Sequence, residues 1–329
     1  MGSDTPWHLL FNAVLQAAKR LGSSHSLVVI ATEPVVNQLK PLIDSSQDNS
    51  RAAILFQIAT DTIVMDDEPL LALRRKKGAS LVVGMRMLKK RAIDAFVSCG
   101  NTGALIAGSV IYLSRLPGVV RPALLAVLPT EKGSVSVLDV GGNVSCKSHH
   151  LVQFAYLGAA YQRAINGIEV PRVGLLNVGA ESKKGTKDVR QAYELLRAHS
   201  QELTIEETLP YIDFVGNVEG RDVFKGVVDV LVTDGFTGNV LLKTAEGVVS
   251  LIFHSLAASE NSHVKEVGAE LHKNYNYAEH PGAIICGVDG IVMKVHGSAP
   301  PMALLSSILG AVDCVQKQLI SRIKQQLKS

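Results

Sequence analysis

The chain has 329 residues, 47% of them hydrophobic and 19% charged, which is enough apolar sequence for about two domains of ordinary size and argues against disorder. Its 33 Lys and Arg against 30 Asp and Glu leave a net charge of only +3, so the charge balance does not imply nucleic acid. Aromatic residues are 5%, unlike a base-stacking surface, and Cys99, Cys146, Cys286 and Cys314 form no C-x-x-C pair, which disfavours a zinc knuckle or a disulfide framework and points to a reducing cytoplasm.

In chain order, Trp7 to Leu21 reads as an amphipathic helix, Leu27 to Ala31 and Ala53 to Ile58 as strands, and Pro69 to Lys77 and Ser80 to Lys90 as helices. Ala95 to Ser98 is a strand before the helix Thr102 to Ser114. Leu124 to Leu128 and Val135 to Val140 are strands before the helix Ser148 to Ile165. The strand Arg172 to Val178 leads to the helix Lys187 to His199. Phe214 to Asn217 and Val230 to Thr233 are strands, followed by the helix Gly238 to Ala257. Ile284 to Gly287 and Ile291 to Val295 are the last strands. In the closing helix, Pro301 to Lys324, residues Leu304, Leu305, Ile308, Val312, Val315 and Leu319 share one face. This alternation predicts an α/β fold with a mostly parallel sheet. No repeat, low-complexity tract or linker marks a boundary, so residues 1–329 are taken as a single unit. The longest apolar stretches, such as Ala104 to Leu113, are about half a bilayer span, and the expectation is a soluble or at most peripheral protein.

Five strands end in small polar residues and glycine: at Cys99-Gly100-Asn101-Thr102-Gly103, Asp139-Val140-Gly141-Gly142-Asn143, Asn177-Val178-Gly179, Gly216-Asn217-Val218-Glu219-Gly220-Arg221 and Asp234-Gly235-Phe236-Thr237-Gly238-Asn239. Parallel strands present their carboxyl ends on one rim, where glycine admits backbone amides to an anion and the next helix points its positive end. Five turns together predict a phosphate or carboxylate site; any one alone reads more readily as an ordinary turn. There is no G-x-G-x-x-G, no G-x-x-x-x-G-K-[ST] and no G-x-S-x-G, so nicotinamide, nucleotide and serine-nucleophile chemistry are disfavoured. Cys99 and Cys146 read as packing residues, and His149-His150 lacks the spacing of a metal site. Lys183-Lys184-Gly185 is the best-placed cationic element. Lys243 either joins it or lies along the core, and His296 at a strand end is either a proton donor or a packed side chain. Arg74-Arg75-Lys76-Lys77 and Lys89-Lys90-Arg91 read as solvated helix faces, with an acidic partner protein as the alternative.

These residues resemble the PlsX-type phosphate acyltransferases of bacterial phospholipid synthesis over essentially the whole chain. The resemblance runs from Met1-Gly2-Ser3-Asp4-Thr5-Pro6 through Ser98 to Leu105, Leu138 to Asn143, Arg172 to Gly179 with Glu181 and Lys184-Gly185, and Gly216 to Arg221, to Asp234 to Val240 with Lys243 and Glu246-Gly247. It implies a Rossmann-like layered fold akin to isocitrate and isopropylmalate dehydrogenases, and a homodimer. The implied reaction takes acyl-acyl carrier protein and inorganic phosphate to acyl phosphate and free carrier protein, with the product passing to a membrane glycerol-3-phosphate acyltransferase. Phosphate carries its own nucleophilic oxygen, so the chemistry needs no covalent enzyme intermediate, cofactor or metal. Lys184, Asn217 and His296 are then the expected catalytic residues, His296 assisting the departing thiolate. Asp4, Asn101, Thr102, Gly103, Asp139, Asn143, Asn177, Glu219, Arg221, Asp234, Asn239 and Lys243 are the expected binding residues. The family carries an apolar strand ahead of the Met-Gly-x-Asp motif, which here begins at Met1, so the expectation is a sheet lacking that strand, with an exposed edge and a poorly anchored Asp4. Gly78-Ala79 stands where the family shows Asp-Ser. The polar tip Ala257 to His263 replaces an apolar one, which weakens the expected peripheral contact of a cytoplasmic enzyme with the bilayer. The competing readings are a metal-requiring NAD(P)-dependent dehydrogenase on the related fold and a non-enzymatic anion-binding regulator of lipid synthesis.

Overall fold

The computed structural model describes residues 2–43, 50–202, 212–275 and 282–328. Its elements, in chain order, are α1 Trp7–Arg20, β1 Ser26–Thr32, α2 Glu33–Leu39, β2 Ala53–Ala59, α3 Pro69–Arg75, α4 Ser80–Lys89, β3 Ala95–Ser98, α5 Thr102–Leu113, β4 Ala123–Thr130, β5 Gly133–Leu138, α6 Ser148–Asn166, β6 Arg172–Asn177, α7 Lys187–Glu202, β7 Asp213–Glu219, β8 Val230–Val232, α8 Gly235–Ala257, α9 Ser262–Tyr275, β9 Ala283–Cys286, β10 Ile291–Lys294, α10 Pro301–Gln316 and α11 Leu319–Lys328. The chain divides into two compact units, Met1–Arg115 with Pro281–Gln316, and Leu116–His280 with Lys317–Ser329. Each unit is assembled from stretches far apart in sequence, which is why no linker marks the division.

In the first unit β1 and β2 pair in parallel, from Ser26 opposite Ala53 to Thr32 opposite Ala59. β10 runs parallel to β3 and antiparallel to β9. One face of these strands is covered by α1 and α10, whose Leu10, Ala13, Leu304 and Leu305 form a core with Leu27, Ile54 and Val97 packed against it. Phe96, next to Val97, points the other way and meets α4, where a Cβ at Gly84 would collide with the Phe96 ring. This alternation along β3, apolar on both faces, marks a strand sandwiched between helix layers. Asp4 is better anchored than expected. Its N–H and that of Thr5 both donate to the Gly297 carbonyl at 3.0 Å, and Thr5 Oγ1 donates to the Ala299 carbonyl at 3.0 Å.

In the second unit β4 and β5 form an antiparallel hairpin, and β5, β8, β6 and β7 follow as parallel neighbours. Val135, Val137, Val173, Leu175, Val230, Leu231 and Val232 are all buried, the near-continuous apolar content of strands covered on both sides. α6 lies across β5 and β8, and only glycine fits at Gly158, where a Cβ would strike Val230 and Leu138. At the end of β6 remote from the glycine-rich turns, Arg172 Nη2 meets Asp229 Oδ1 at 2.8 Å and its backbone N–H donates to Asp229 Oδ2 at 2.8 Å, fixing β6 against the start of β8.

Three local differences from the sequence reading have physical causes. The short helix α2 and the polar helix α9 carry too little periodic apolar sequence to announce themselves. α8 begins at Gly235 because Asp234 caps it, accepting from Thr237 N at 2.8 Å and Thr237 Oγ1 at 3.0 Å. It is 23 residues long and apolar enough to cross a membrane by length and composition, with Lys243 and Glu246 interrupting its apolar runs. The closing helix is two helices. Gln318 sits at φ 53°, so the chain stops and restarts there, and Leu319 is buried in the second unit rather than continuing the stripe of α10. Because a non-glycine side chain is strained in the left-handed region, Gln318→Gly is expected to raise stability by up to about 1 kcal/mol in urea unfolding.

Candidate functional site

Four of the five glycine-rich segments leave the carboxyl ends of β5, β8, β6 and β7, parallel neighbours of the second unit, and therefore share one rim. The turn after β5 is built on Asp139, which is wholly buried. Its Oδ1 accepts from the amides of Leu124 at 2.9 Å, Gly141 at 3.2 Å and Gly142 at 2.8 Å. Its Oδ2 accepts from Asn143 N at 2.6 Å and Asn143 Nδ2 at 2.8 Å. Burial pushes this carboxyl up, while the donors of Gly142, Asn143 and Leu124 pull it back. Asn143 Nδ2 also donates to the Pro122 carbonyl at 2.8 Å, and its own carbonyl receives Gly235 N at 2.8 Å. Asn239 Nδ2 reaches the Val140 carbonyl at 3.0 Å, and Gly238 packs so closely on the Asp139 carbonyl that any Cβ there would collide with it. The amides of 141–143 and of Gly235 and Thr237 are thus engaged inside the protein, where the sequence reading had offered glycine-rich turns to an anion. The turn is organised by an internal carboxylate.

The turns after β6 and β7 are differently disposed. Asn177 Nδ2 donates to the Lys184 carbonyl at 3.1 Å and its Oδ1 accepts from Val178 N at 2.8 Å, which folds the loop 178–184 back over the strand end. Gly185, at φ 88°, lies so close to the Asn177 amide that a side chain would not fit. The loop presents the exposed Lys183 and Lys184, and the Lys184 stem and the Glu181 carboxylate flank Gly179. Asn217 Nδ2 donates to the Glu181 carbonyl at 2.9 Å, joining the β7 turn to this loop. That bond fixes which end of the amide is oxygen, and Asn217 Oδ1 is a buried acceptor with no hydrogen-bond partner among the described residues. Glu219 pairs with the exposed Arg221, Nε to Oε2 at 3.4 Å, which partly neutralises that guanidinium. Lys243 stands one helical turn beyond Asn239 on α8, exposed, and its ammonium works against the burial that pushes Glu246 up.

The remaining expected residues belong to the first unit. Asn101 is 6% exposed and its side chain is fully used. It caps α5 through Ala104 N at 3.0 Å and donates to the carbonyls of Val64, Met65 and Asp67 at 3.3, 2.9 and 3.1 Å. It ties a loop to a helix start, and Thr102 and Gly103 form the first turn that follows. Asp4 lies against Gly297 beside the exposed His296. Ser298 N donates to His296 Nδ1 at 3.3 Å, so Nδ1 is an acceptor and the neutral ring carries its proton on Nε2. The sequence reading missed Lys294. It is 8% exposed, and its ammonium donates to the carbonyls of Gly100 at 2.7 Å and Val295 at 2.6 Å, under the turn after β3. A lysine inside the apolar run Ile291-Val292-Met293-Lys294-Val295 was the available signal. Three thiols are pushed toward the protonated form: burial, with the Asp139 and Asp234 carboxylates nearby, pushes Cys146 up to about 12, and burial also raises Cys99 and Cys286.

Residues 1–322 match the family described as fatty acid synthesis protein. A phosphate acyltransferase of Brevibacillus brevis is 42% identical across 100% of this chain and 96% of its own length, and one of Thermoanaerobacter pseudethanolicus is 36% identical with the same coverage. Among solved structures, the EutD phosphotransacetylase of Staphylococcus aureus superposes with a TM-score of 0.54 at 12% identity, covering 94% of this chain and 99% of its own. A 4-hydroxythreonine-4-phosphate dehydrogenase of Klebsiella pneumoniae follows at 0.50 and 15%, covering 88% of each, a likeness of fold.

Asp139→Asn replaces one carboxylate oxygen with a donor facing the two Asn143 donors. It is expected to lower stability by about 2–3 kcal/mol in denaturant unfolding, the cost of buried donors left unpaired.

Proposed function

The chain belongs to this family of phosphate acyltransferases, and from that premise we propose that it transfers an acyl group from the thioester of an acyl carrier protein to inorganic phosphate. The products are an acyl phosphate and the free carrier thiol. The observation that carries the reading is the rim of β6 and β7, where Asn217 ties down the loop that bears the exposed Lys183 and Lys184 and its own Oδ1 lacks a hydrogen-bond partner among the described residues. Inorganic phosphate near neutral pH has anionic oxygens for Lys184 and, once the Asn217 amide turns out toward the rim, a P–OH for its Oδ1. A fully ionised carboxylate supplies no such proton. An oxygen of phosphate then attacks the thioester carbonyl carbon, the C–S bond breaks, and the electron pair leaves with sulfur.

Lys184 neutralises phosphate and the charge that develops in the tetrahedral intermediate, and Asn217 orients the attacking anion. The thiolate requires a proton, and the exposed His296, in its protonated form, is the proposed donor. With these three thiols pushed toward the protonated form, direct attack by phosphate is favoured over a cysteine-bound acyl intermediate. Asp139, Asn143 and Asn239 shape the neighbouring turn, and Asn101 shapes that of the first unit. The exposed residues Phe236, Val240, Val248 and Ile252 recur every four residues or multiples of four along α8 and support an apolar contact for this cytoplasmic enzyme, either with a second copy in a homodimer or peripherally with the bilayer. An acyl phosphate hydrolyses readily in water, so its consumer is expected to be a membrane acyltransferase that esterifies glycerol 3-phosphate.

Lys184→Ala and Asn217→Ala are each expected to lower kcat/KM for phosphate by about tenfold or more while changing KM for the acyl thioester little. An unchanged phosphate dependence in either variant removes that residue from the site. Cys146→Ala is expected to keep kcat within about twofold in the same assay, because no thiolate forms at neutral pH.

A further inference from the structure

The 25 residues from Pro69 to Ile93 contain eight Lys or Arg and no Asp or Glu, whereas the remainder of the chain has 25 basic and 30 acidic residues. Positive charge is thus concentrated on α3, α4 and the turns around them. Two of the eight are spent internally, Lys76 on Asp67 at 2.6 Å and Arg91 on Asp289 at 3.2 Å. Arg74, Arg75, Lys77, Arg86, Lys89 and Lys90 are exposed and form no ion pair among the described residues. Packing draws α4 and the end of α5 into one surface. The Arg86 guanidinium lies over the Tyr112 ring of α5, 5.7 Å from its centre, and donates to the Lys77 carbonyl at 3.2 Å, while Lys89 Nζ donates to Ser114 Oγ at 3.4 Å. α3 flanks the same helix, since a Cβ at Gly103 would meet Pro69 and one at Gly108 would meet Leu73. Next to Tyr112, α5 exposes Val110 and Ile111. Cations suit the last turn of a helix, which accounts for about one or two on each of α3 and α4. The missing acids need another reason: Arg86, Lys89 and Lys90 stand three and four residues apart and repel one another, where a solvated face ordinarily mixes both signs.

We propose that this surface docks an acidic protein helix and, resting on the reaction proposed above, that the helix belongs to the acyl carrier protein that brings the thioester. Charge complementarity chooses the class of occupant. Carboxylates spaced along a helix match the guanidinium and ammonium groups spaced along α3 and α4, and Tyr112 already orients Arg86 for a forked pairing. Val110 and Ile111 supply the apolar centre that a polar rim surrounds in protein interfaces. An anionic bilayer fits less well. It extends beyond the patch and meets the remainder of the chain, which is net acidic, whereas a small carrier protein covers the patch alone. The position suits a carrier as well. The 12 residues of α5 run for about 18 Å from the turn that carries Asn101 toward this surface, a length that the flexible prosthetic arm of a carrier protein bridges, and His296 belongs to the same unit. The surface therefore captures and retains the carrier and takes no part in the bond exchange itself.

The test uses the full chain and two variants, one with Arg74→Glu, Arg75→Glu, Lys89→Glu and Lys90→Glu, the other with Gln at the same four positions. Arg86 stays in place because its contacts hold α4 to α5, so both variants are expected to melt within a few degrees of the unmodified chain. Binding of the unacylated carrier protein is measured by calorimetry at low and high salt. Turnover of a short acyl pantetheine thioester, which has no protein to dock, is measured in parallel. The expected result is that the Glu variant weakens carrier binding by about tenfold or more and the Gln variant by about threefold or more, while kcat/KM for the pantetheine thioester stays within about twofold. Salt is expected to weaken carrier binding by the unmodified chain and to affect the variants little. The proposal is overturned if the unmodified chain does not bind the carrier, if both variants bind it as the unmodified chain does, or if pantetheine turnover falls as far as carrier binding. It is also overturned if the variants lose affinity for phosphatidylglycerol vesicles, or lose self-association, while keeping the carrier. Because the carrier is unacylated, docking is read without catalysis. Absence of acyl phosphate from every thioester removes the proposed reaction and leaves the docking result standing, and unchanged carrier binding removes the docking and leaves the reaction.

Discussion

A buried carboxylate organises the second unit. Asp139 gathers five N–H donors from Leu124, Gly141, Gly142 and Asn143, and so converts a glycine-rich stretch that would otherwise sample many conformations into one turn. The start of α8 depends on that turn, because Gly235 bonds to the Asn143 carbonyl and Gly238 rests on the carbonyl of Asp139 itself. An ionised group is costly to bury, and the donors around this one offset the cost only while all of them are in place. The rigidity of this corner leaves the loop after β6, with its lysines, as the part of the rim whose polar groups remain directed outward.

That division of labour explains what the sequence made legible and what it concealed. The strands stand out because chains buried on both sides read as nearly unbroken Val, Ile and Leu, and Ala95 to Ser98 matches its strand residue for residue. The gathering of turns at the ends of β5, β8, β6 and β7 was equally readable, since each turn carries Gly and Asn directly after an apolar run. The destination of the amides was hidden. Gly141-Gly142-Asn143 has the same composition whether its N–H groups face a ligand or an aspartate two to four residues earlier, and Asn101 looks alike as a ligand or as the cap of α5. Asn217 is separated from Asn143 by its surroundings alone: Asn143 spends its amide hydrogens on the Pro122 carbonyl and the Asp139 carboxylate, whereas Asn217 holds a buried oxygen that has no partner among the described residues.

The same distinction applies to charge. Lys184 is exposed on its loop and available to an anion, whereas Lys294 is sunk in β10 and spends its hydrogens on the carbonyls of Gly100 and Val295. Lys294 therefore works as a brace beneath the turn after β3, a role for which a compact ammonium with three rotatable donors is better suited than a planar guanidinium. The pairing of Arg172 with Asp229 at the opposite end of β6 serves the complementary purpose, where a forked donor matches a carboxylate and the strand register is set.

The interleaved course of the chain bears on how it is made. Strands β9 and β10 and helix α10, which complete the first unit, lie more than 160 residues beyond Arg115, and α11, whose Ile323 is buried in the second unit, comes later still. Neither unit holds all its parts until nearly the entire polypeptide has left the ribosome. Nascent chains halted near residue 300 would expose two unfinished cores together, so this protein should lean on holding chaperones throughout translation instead of folding piecewise from its amino end.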